Sequence, residues 1–144
     1  SKGRIISLTL SKKQLKVIPS EIGNLTKLKK LNVYGNQLAS LPNSIGKLSN
    51  LIELIVHSNQ LTQLPDKIVN LQKLKRIKAN HNKLESLPEN IGRLGELEKL
   101  QINHNKLIEL PNSICSLKLD REIVHQFIAG NNFICGVVTF DRRF

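Results

Sequence analysis

The feature that most constrains this chain is a spacing. Leu28, Leu51, Leu74 and Leu97 lie 23 residues apart, and so do Leu31, Leu54, Ile77 and Leu100. The same interval relates Val33, Val56, Ala79 and Ile102, then Asn36, Asn59, Asn82 and Asn105, then Leu38, Leu61, Leu84 and Leu107. A Leu-Pro pair recurs at Leu41-Pro42, Leu64-Pro65, Leu87-Pro88 and Leu110-Pro111. Behind each pair come Ile45, Ile68, Ile91 and Ile114, and then Leu48, Leu71, Leu94 and Leu117. Such a unit is one supersecondary piece that cannot bury its apolar face alone. It needs a neighbouring copy on each side, so the fold is a linear stack.

The residues of one unit set its path. Leu31-Asn32-Val33 alternates apolar and polar, so a short strand turns its apolar side chains to one face. Stacked copies form a parallel sheet over a continuous core. The Asn that follows must turn the chain inward where backbone groups have no ladder partner. Its amide carries donors and an acceptor, so a column of asparagines can bond the backbones of adjacent turns. The return segment, Leu-Pro-x-x-Ile-x-x-Leu, is apolar at every third position, which suits an extended or 3₁₀-like path. Gly23, Gly46 and Gly92 follow the return-side Ile and are expected to mark a turn needing permissive torsions, with Val69 and Cys115 at the same place.

Backwards, the frame takes in Ile5, Leu8, Leu10, Leu15, Ile18-Pro19, Ile22 and Leu25, with Lys13 where the Asn belongs. Forwards, it resumes after a three-residue insertion at Ile123, Gln126, Ile128, Asn131 and Phe133. The expected layout is one domain, 1–144. Five full repeats (5–27, 28–50, 51–73, 74–96 and 97–119) lead into a degenerate repeat or C-terminal cap at 118–144.

The pattern L-x-x-L-x-L-x-x-N-x-L-x-x-L-P-x-x-I-x-x-L resembles the leucine-rich repeat family, strongly over 5–117 and weakly beyond. The Leu-Pro-x-x-Ile variant is similar to repeats of intracellular Ras-linked scaffolds, of plant relatives and of bacterial repeat proteins. The resemblance implies an α/β-type repeat solenoid, a horseshoe arc. Its short-strand parallel sheet would line the concave face, and its convex side would be extended or 3₁₀. It also implies a non-catalytic protein-binding module in which Asn36, Asn59, Asn82, Asn105 and Asn131 form a structural ladder.

In such a stack, function lies on side chains that the fold does not dictate. On the concave face these fall in columns, with neighbours about 4.8 Å apart. One column reads Ser7, Lys30, Glu53, Arg76 and Lys99; the next Thr9, Asn32, Ile55, Lys78 and Gln101. A third reads Ser11, Tyr34, His57, Asn80 and Asn103, and a fourth Lys12, Gly35, Ser58, His81 and His104. The expected partner-binding residues are Lys30, Asn32, Tyr34, Glu53, Ile55, His57, Arg76, Lys78, Asn80, Lys99, Gln101 and Asn103. Ile55 is read as an exposed apolar residue that forms a small anchor with Tyr34. His81 and His104 could hold Zn²⁺ or Ni²⁺ adventitiously, but no third ligand is evident, and no metal or cofactor is expected.

No Gly-rich phosphate loop, paired carboxylates or Ser-His-Asp order supports an enzyme. Cys135 has only His125 as a candidate base. No apolar run approaches the roughly 18 residues of a membrane span. Two cysteines are too few for a disulfide scaffold and suggest a reducing, cytoplasmic setting, with delivery as a secreted effector the other route. The net charge is +11. The first fifty residues hold nine Lys or Arg against the one acid Glu21, so partner contact is expected to favour the first two repeats and the Lys30 edge. The alternative reading is a basic module for nucleic acid or an acidic surface, or a scaffold unit of a larger signalling or effector protein. Against nucleic acid, the face has no stacking platform. Asp120-Arg121-Glu122 is expected to start a short helix, and Phe133 to Phe140 reads as a strand whose large side chains plug the last repeat; Phe140 to Phe144 could instead be a docking peptide. The chain is expected to be a monomer.

Overall fold

The structure is a computed structural model and describes residues 4–119. Five strands follow one another: β1 (Ser7–Thr9), β2 (Lys30–Asn32), β3 (Glu53–Ile55), β4 (Arg76–Lys78) and β5 (Lys99–Gln101). They form one open parallel sheet in the order β1-β2-β3-β4-β5. Register pairs Lys30 with Glu53, Glu53 with Arg76 and Arg76 with Lys99, so equivalent residues of consecutive repeats are nearest neighbours. Backbone pairing continues past the strand ends. The N–H groups of Lys12, Gly35, Ser58 and His81 donate to the carbonyls of Tyr34, His57, Asn80 and Asn103 at 2.9–3.1 Å.

The return path is a row of 3₁₀ turns: η1 (Ser20–Asn24), η2 (Asn43–Lys47), η3 (Asp66–Asn70), η4 (Ile91–Arg93) and η5 (Asn112–Ser116). Pro19, Pro42, Pro65 and Pro111 directly precede four of them, with φ between −64° and −70°. The ring fixes that torsion. Each proline carbonyl then accepts from the N–H of the Ile three residues on, which opens the turn and aims the Ile inward. Ile22, Ile45, Ile68, Ile91 and Ile114 are all buried. They meet Leu31, Leu54, Ile77 and Leu100 from the sheet, and these are wholly buried. The core is therefore a slab one repeat thick, extended along the stack.

The asparagines close the inner corner. Asn59 Oδ1 accepts from the Leu38 N–H at 3.1 Å, and its Nδ2 donates to the Val33 and Val56 carbonyls at 3.0 Å each. Asn82 and Asn105 repeat the arrangement one and two turns on. Asn36 takes two N–H groups, Lys13 and Leu15, and donates to Leu10 and Val33. The Val33, Val56 and Ala79 carbonyls each accept from two asparagines. Amides and carbonyls thus alternate without a break from Asn36 to Asn105.

The reading of Gly23, Gly46 and Gly92 needs correction. None of the three has a left-handed φ; among the described glycines only Gly35 does, at 68°. What they serve is close approach. A Cβ at Gly23 would stand 2.7 Å from the Ser44 carbonyl oxygen, and one at Gly46 would stand 2.5 Å from that of Lys67. At Gly92 it would overlap the Ser113 carbonyl. Consecutive convex turns touch backbone to backbone there. Val69 is accommodated where the following turn, η4, is the short one.

Cys115, on η5, is disulfide-bonded. No helix among the described residues is long and apolar enough to cross a membrane. The expected helix after Asp120, the Phe133–Phe140 strand, the phenylalanine plug, the Phe140–Phe144 docking peptide, Asn131, His125 and Cys135 lie outside the described residues.

Candidate functional site

The concave face divides into a charged strand half and a ring-bearing loop half. In the strand half, register brings Lys30 and Arg76 to either side of Glu53. Lys30 Nζ lies 3.0 Å from Glu53 Oε2, and Arg76 Nε lies 3.3 Å from Oε1. Lys78 Nζ reaches within 3.9 Å of the same oxygen. Glu53 is buried, at 8% exposure. Burial alone would raise its pKa; the hydrogen bonds and charges of Lys30 and Arg76 outweigh it and hold the carboxyl below its usual value. The cluster keeps a positive excess, because three cations share one acid.

Ile55 is not the exposed anchor that its polar neighbours suggest. It is 6% exposed, and every residue of β3 is buried. Lys78 is its register partner on β4, yet the Lys78 ammonium reaches back to Glu53. Ile55 is flanked by its register partners Asn32 and Lys78, and the aliphatic stem of a lysine is suited to cover apolar surface. Strands at the ends of the sheet lack this cover: β1 and β5 expose both outer positions.

In the loop half, Tyr34 and His57 stack with centroids 4.3 Å apart and rings 25° from parallel. Lys12 Nζ sits 5.2 Å from the Tyr34 centroid, a cation–π contact on the same ring. His57 Nδ1 is 3.3 Å from Ser58 Oγ. His81 and His104 stack at 4.3 Å and 13°. Burial lowers the His57 pKa, and the nearby charges of Lys78 and His81 lower it further. Asn80 and Asn103 continue the row that Tyr34 and His57 begin. Asn32 turns its Oδ1 onto the Tyr34 N–H at 3.1 Å and so helps hold that row in place.

The fourth column has a backbone cause. Lys12, Gly35, Ser58, His81 and His104 all have positive φ, between 53° and 68°. Histidine is among the residues enriched in this region, which gives His81 and His104 a conformational reason to be there. Among the described residues, no group of three His, Cys, Asp or Glu could hold a metal ion. Lys12 was placed on the face but left out of the expected partner-binding residues. Its signal was legible: it opens the column that continues through Gly35, beside Tyr34.

A family model described as a leucine-rich repeat region matches residues 5–85, and a leucine-rich repeat model matches 96–117. The chain belongs to the leucine-rich repeat family. Among solved structures, a leucine-rich repeat protein of Leptospira interrogans is 37% identical, with a TM-score of 0.69. The match covers 81% of this chain and 36% of that one. A TDR receptor is 34% identical at a TM-score of 0.65, over 72% of this chain and 19% of the receptor. The BIR3–SERK2 complex from Arabidopsis thaliana gives 30% identity and a TM-score of 0.71, over 83% of this chain and 71% of that one. This leucine-rich repeat chain thus spans about a third of the Leptospira protein and a fifth of the receptor. No curated protein matches it. The family is typically non-enzymatic.

Proposed function

We propose that this chain is a non-catalytic module that binds another protein through its concave face. One observation carries the reading. The side chains the fold leaves free on this face are pre-ordered by one another, through the Glu53 cluster and the Tyr34–His57 and His81–His104 stacks. Side chains already held in place lose less freedom on binding, which favours a specific contact. Of the solved relatives, the Arabidopsis structure is itself a protein complex. The contact set is Lys30, Asn32, Tyr34, His57, Arg76, Lys78, Asn80, Lys99, Gln101 and Asn103, with Glu53 as the buried organiser and Ile55 beneath rather than on the surface. The five repeats act as one unit and as a monomer.

The test is capture from an extract of the source organism, with three baits. These are the unchanged chain, a concave variant (Tyr34→Ala, Arg76→Ala, Asn80→Ala) and a convex variant (Asp66→Ala, Lys67→Ala). The expected result is a protein held by the first and third baits and lost from the second. It should survive about 0.5 M salt, whereas nucleic acid held by charge alone is released by about 0.2 M. Loss from the convex variant alone would overturn the reading. Retention of nucleic acid with no protein would favour the basic-module alternative, centred on the positive first fifty residues.

A further inference from the structure

All three histidines among the described residues lie on the concave columns, at 57, 81 and 104. Of the twenty column residues, Glu53 is the only acid, and three cations already surround it. The face is therefore positive, and it carries the side chains whose charge changes between about pH 5 and pH 8. The groups facing them are also cationic or neutral. Lys78 and His81 come from the repeat after His57, and Tyr34 from the repeat before it, with Lys12 beyond. Ser58 lies beside His57, and His104 lies against His81. For His57, burial and the neighbouring cations oppose proton uptake on the free face. Two imidazolium rings as close as those of His81 and His104 would repel. A partner carboxylate would reverse that balance.

We propose that the partner presents an acidic protein segment to this face and that binding draws protons onto the histidines, so the complex tightens as pH falls. This rests on the concave-face reading above and adds to it the chemistry of the partner. A peptide fits better than a nucleic acid. The Tyr34 ring is already engaged by His57 and Lys12, and His81 and His104 each give one face to the other, which leaves less ring surface for base stacking. The loop half instead offers the amides of Asn80 and Asn103 beside the rings, which can pair with peptide groups as well as with carboxylates.

The probe is a library of short random peptides, panned on the full chain at roughly pH 5.5, with the best binders then synthesised. The expected binders are rich in Asp and Glu. They should bind about fivefold more tightly at roughly pH 5.5 than at pH 7.5, as one histidine pKa rising by about a unit within that window gives. In the variant His57→Asn, His81→Asn, His104→Asn the dependence should shrink to under about twofold. Asn stands at the His57 position in the next two repeats and tolerates the left-handed backbone at the other two, so the variant should melt like the parent. Binders that are lost with Tyr34→Ala and Arg76→Ala, but are not acidic or do not respond to pH, would overturn this inference and leave the concave reading intact. Binders indifferent to those two changes would overturn both, as would a library yielding no binder. Duplex DNA held as tightly as the peptides at about 0.15 M salt would overturn the peptide partner in favour of general anion capture.

Discussion

The third repeat and the first obey the same spacing but are buried very differently. Leu54, Val56 and Leu61 are wholly buried, whereas their counterparts Leu8, Leu10 and Leu15 are only partly so. Further apolar side chains of the first repeat stand in the open: Ile5 is 49% exposed, Ile6 54% and Val17 72%. The difference lies in the neighbours, not in the residues. A leucine in a stack is covered from both sides along the axis, and in the described residues the first repeat has a neighbour on one side only. Consensus residues specify which face turns inward; the adjoining repeats determine how much that earns.

The largest effect expected from this contrast is in the core. Leu54→Ala should cost about 4 kcal/mol, because the slab cannot collapse around the void, while Leu8→Ala should cost about 1 kcal/mol. Equal losses in urea denaturation would show that the first repeat is as well packed as the third. The next is in the ladder. Asn59→Ala strands the Leu38 N–H and should cost about 2–3 kcal/mol, although the Val33 and Val56 carbonyls keep Asn36 and Asn82. Lys13→Asn should gain less than about 0.5 kcal/mol, since an amide there meets no earlier turn among the described residues. A gain as large as the Asn59 loss would show that the first repeat lacks only its ladder residue. The smallest is electrostatic and belongs to the third repeat alone, because Ser11 occupies the His57 column in the first. The folded pKa of His57 lies below its unfolded value. The neutral form is therefore favoured in the folded state. The contribution is complete above the unfolded value and is lost as pH falls through the folded one. The melting temperature should drop on going from roughly pH 7.5 to pH 5.5, and less so in His57→Asn. An identical drop in that variant would assign the effect elsewhere.

The periodic part of this fold was legible because it is set within one repeat. The Leu-x-Leu alternation placed β1 to β5 in register, and the Leu-Pro-x-x-Ile segment became 3₁₀ turns. Asn36, Asn59, Asn82 and Asn105 bond the backbone at the corner. What was not legible depends on atoms one repeat away. Ile55 looked exposed because nothing in the column order says how far its register partners on β2 and β4 cover it. Gly23, Gly46 and Gly92 looked like torsional requirements, and the approach of the Ser44, Lys67 and Ser113 carbonyls is a property of two adjacent turns. The Glu53 cluster lies between these cases. Its charges were visible in the columns, whereas the burial of its carboxylate was not.

The left-handed column also limits how this surface can be diversified. At 12, 35, 58, 81 and 104 the backbone torsion strongly disfavours β-branched and bulky side chains. The other three columns carry no such torsional filter, so shape and charge can be exchanged there wherever the side chain is not buried as Glu53 and Ile55 are. A family of binders drawn from this scaffold would vary more freely along three rows and along the fourth would choose from a small alphabet: glycine, asparagine, histidine, serine, lysine. Four of those five can donate a hydrogen bond through the side chain. The rim beside the ring row would therefore stay polar whatever target the rest of the face was chosen to fit.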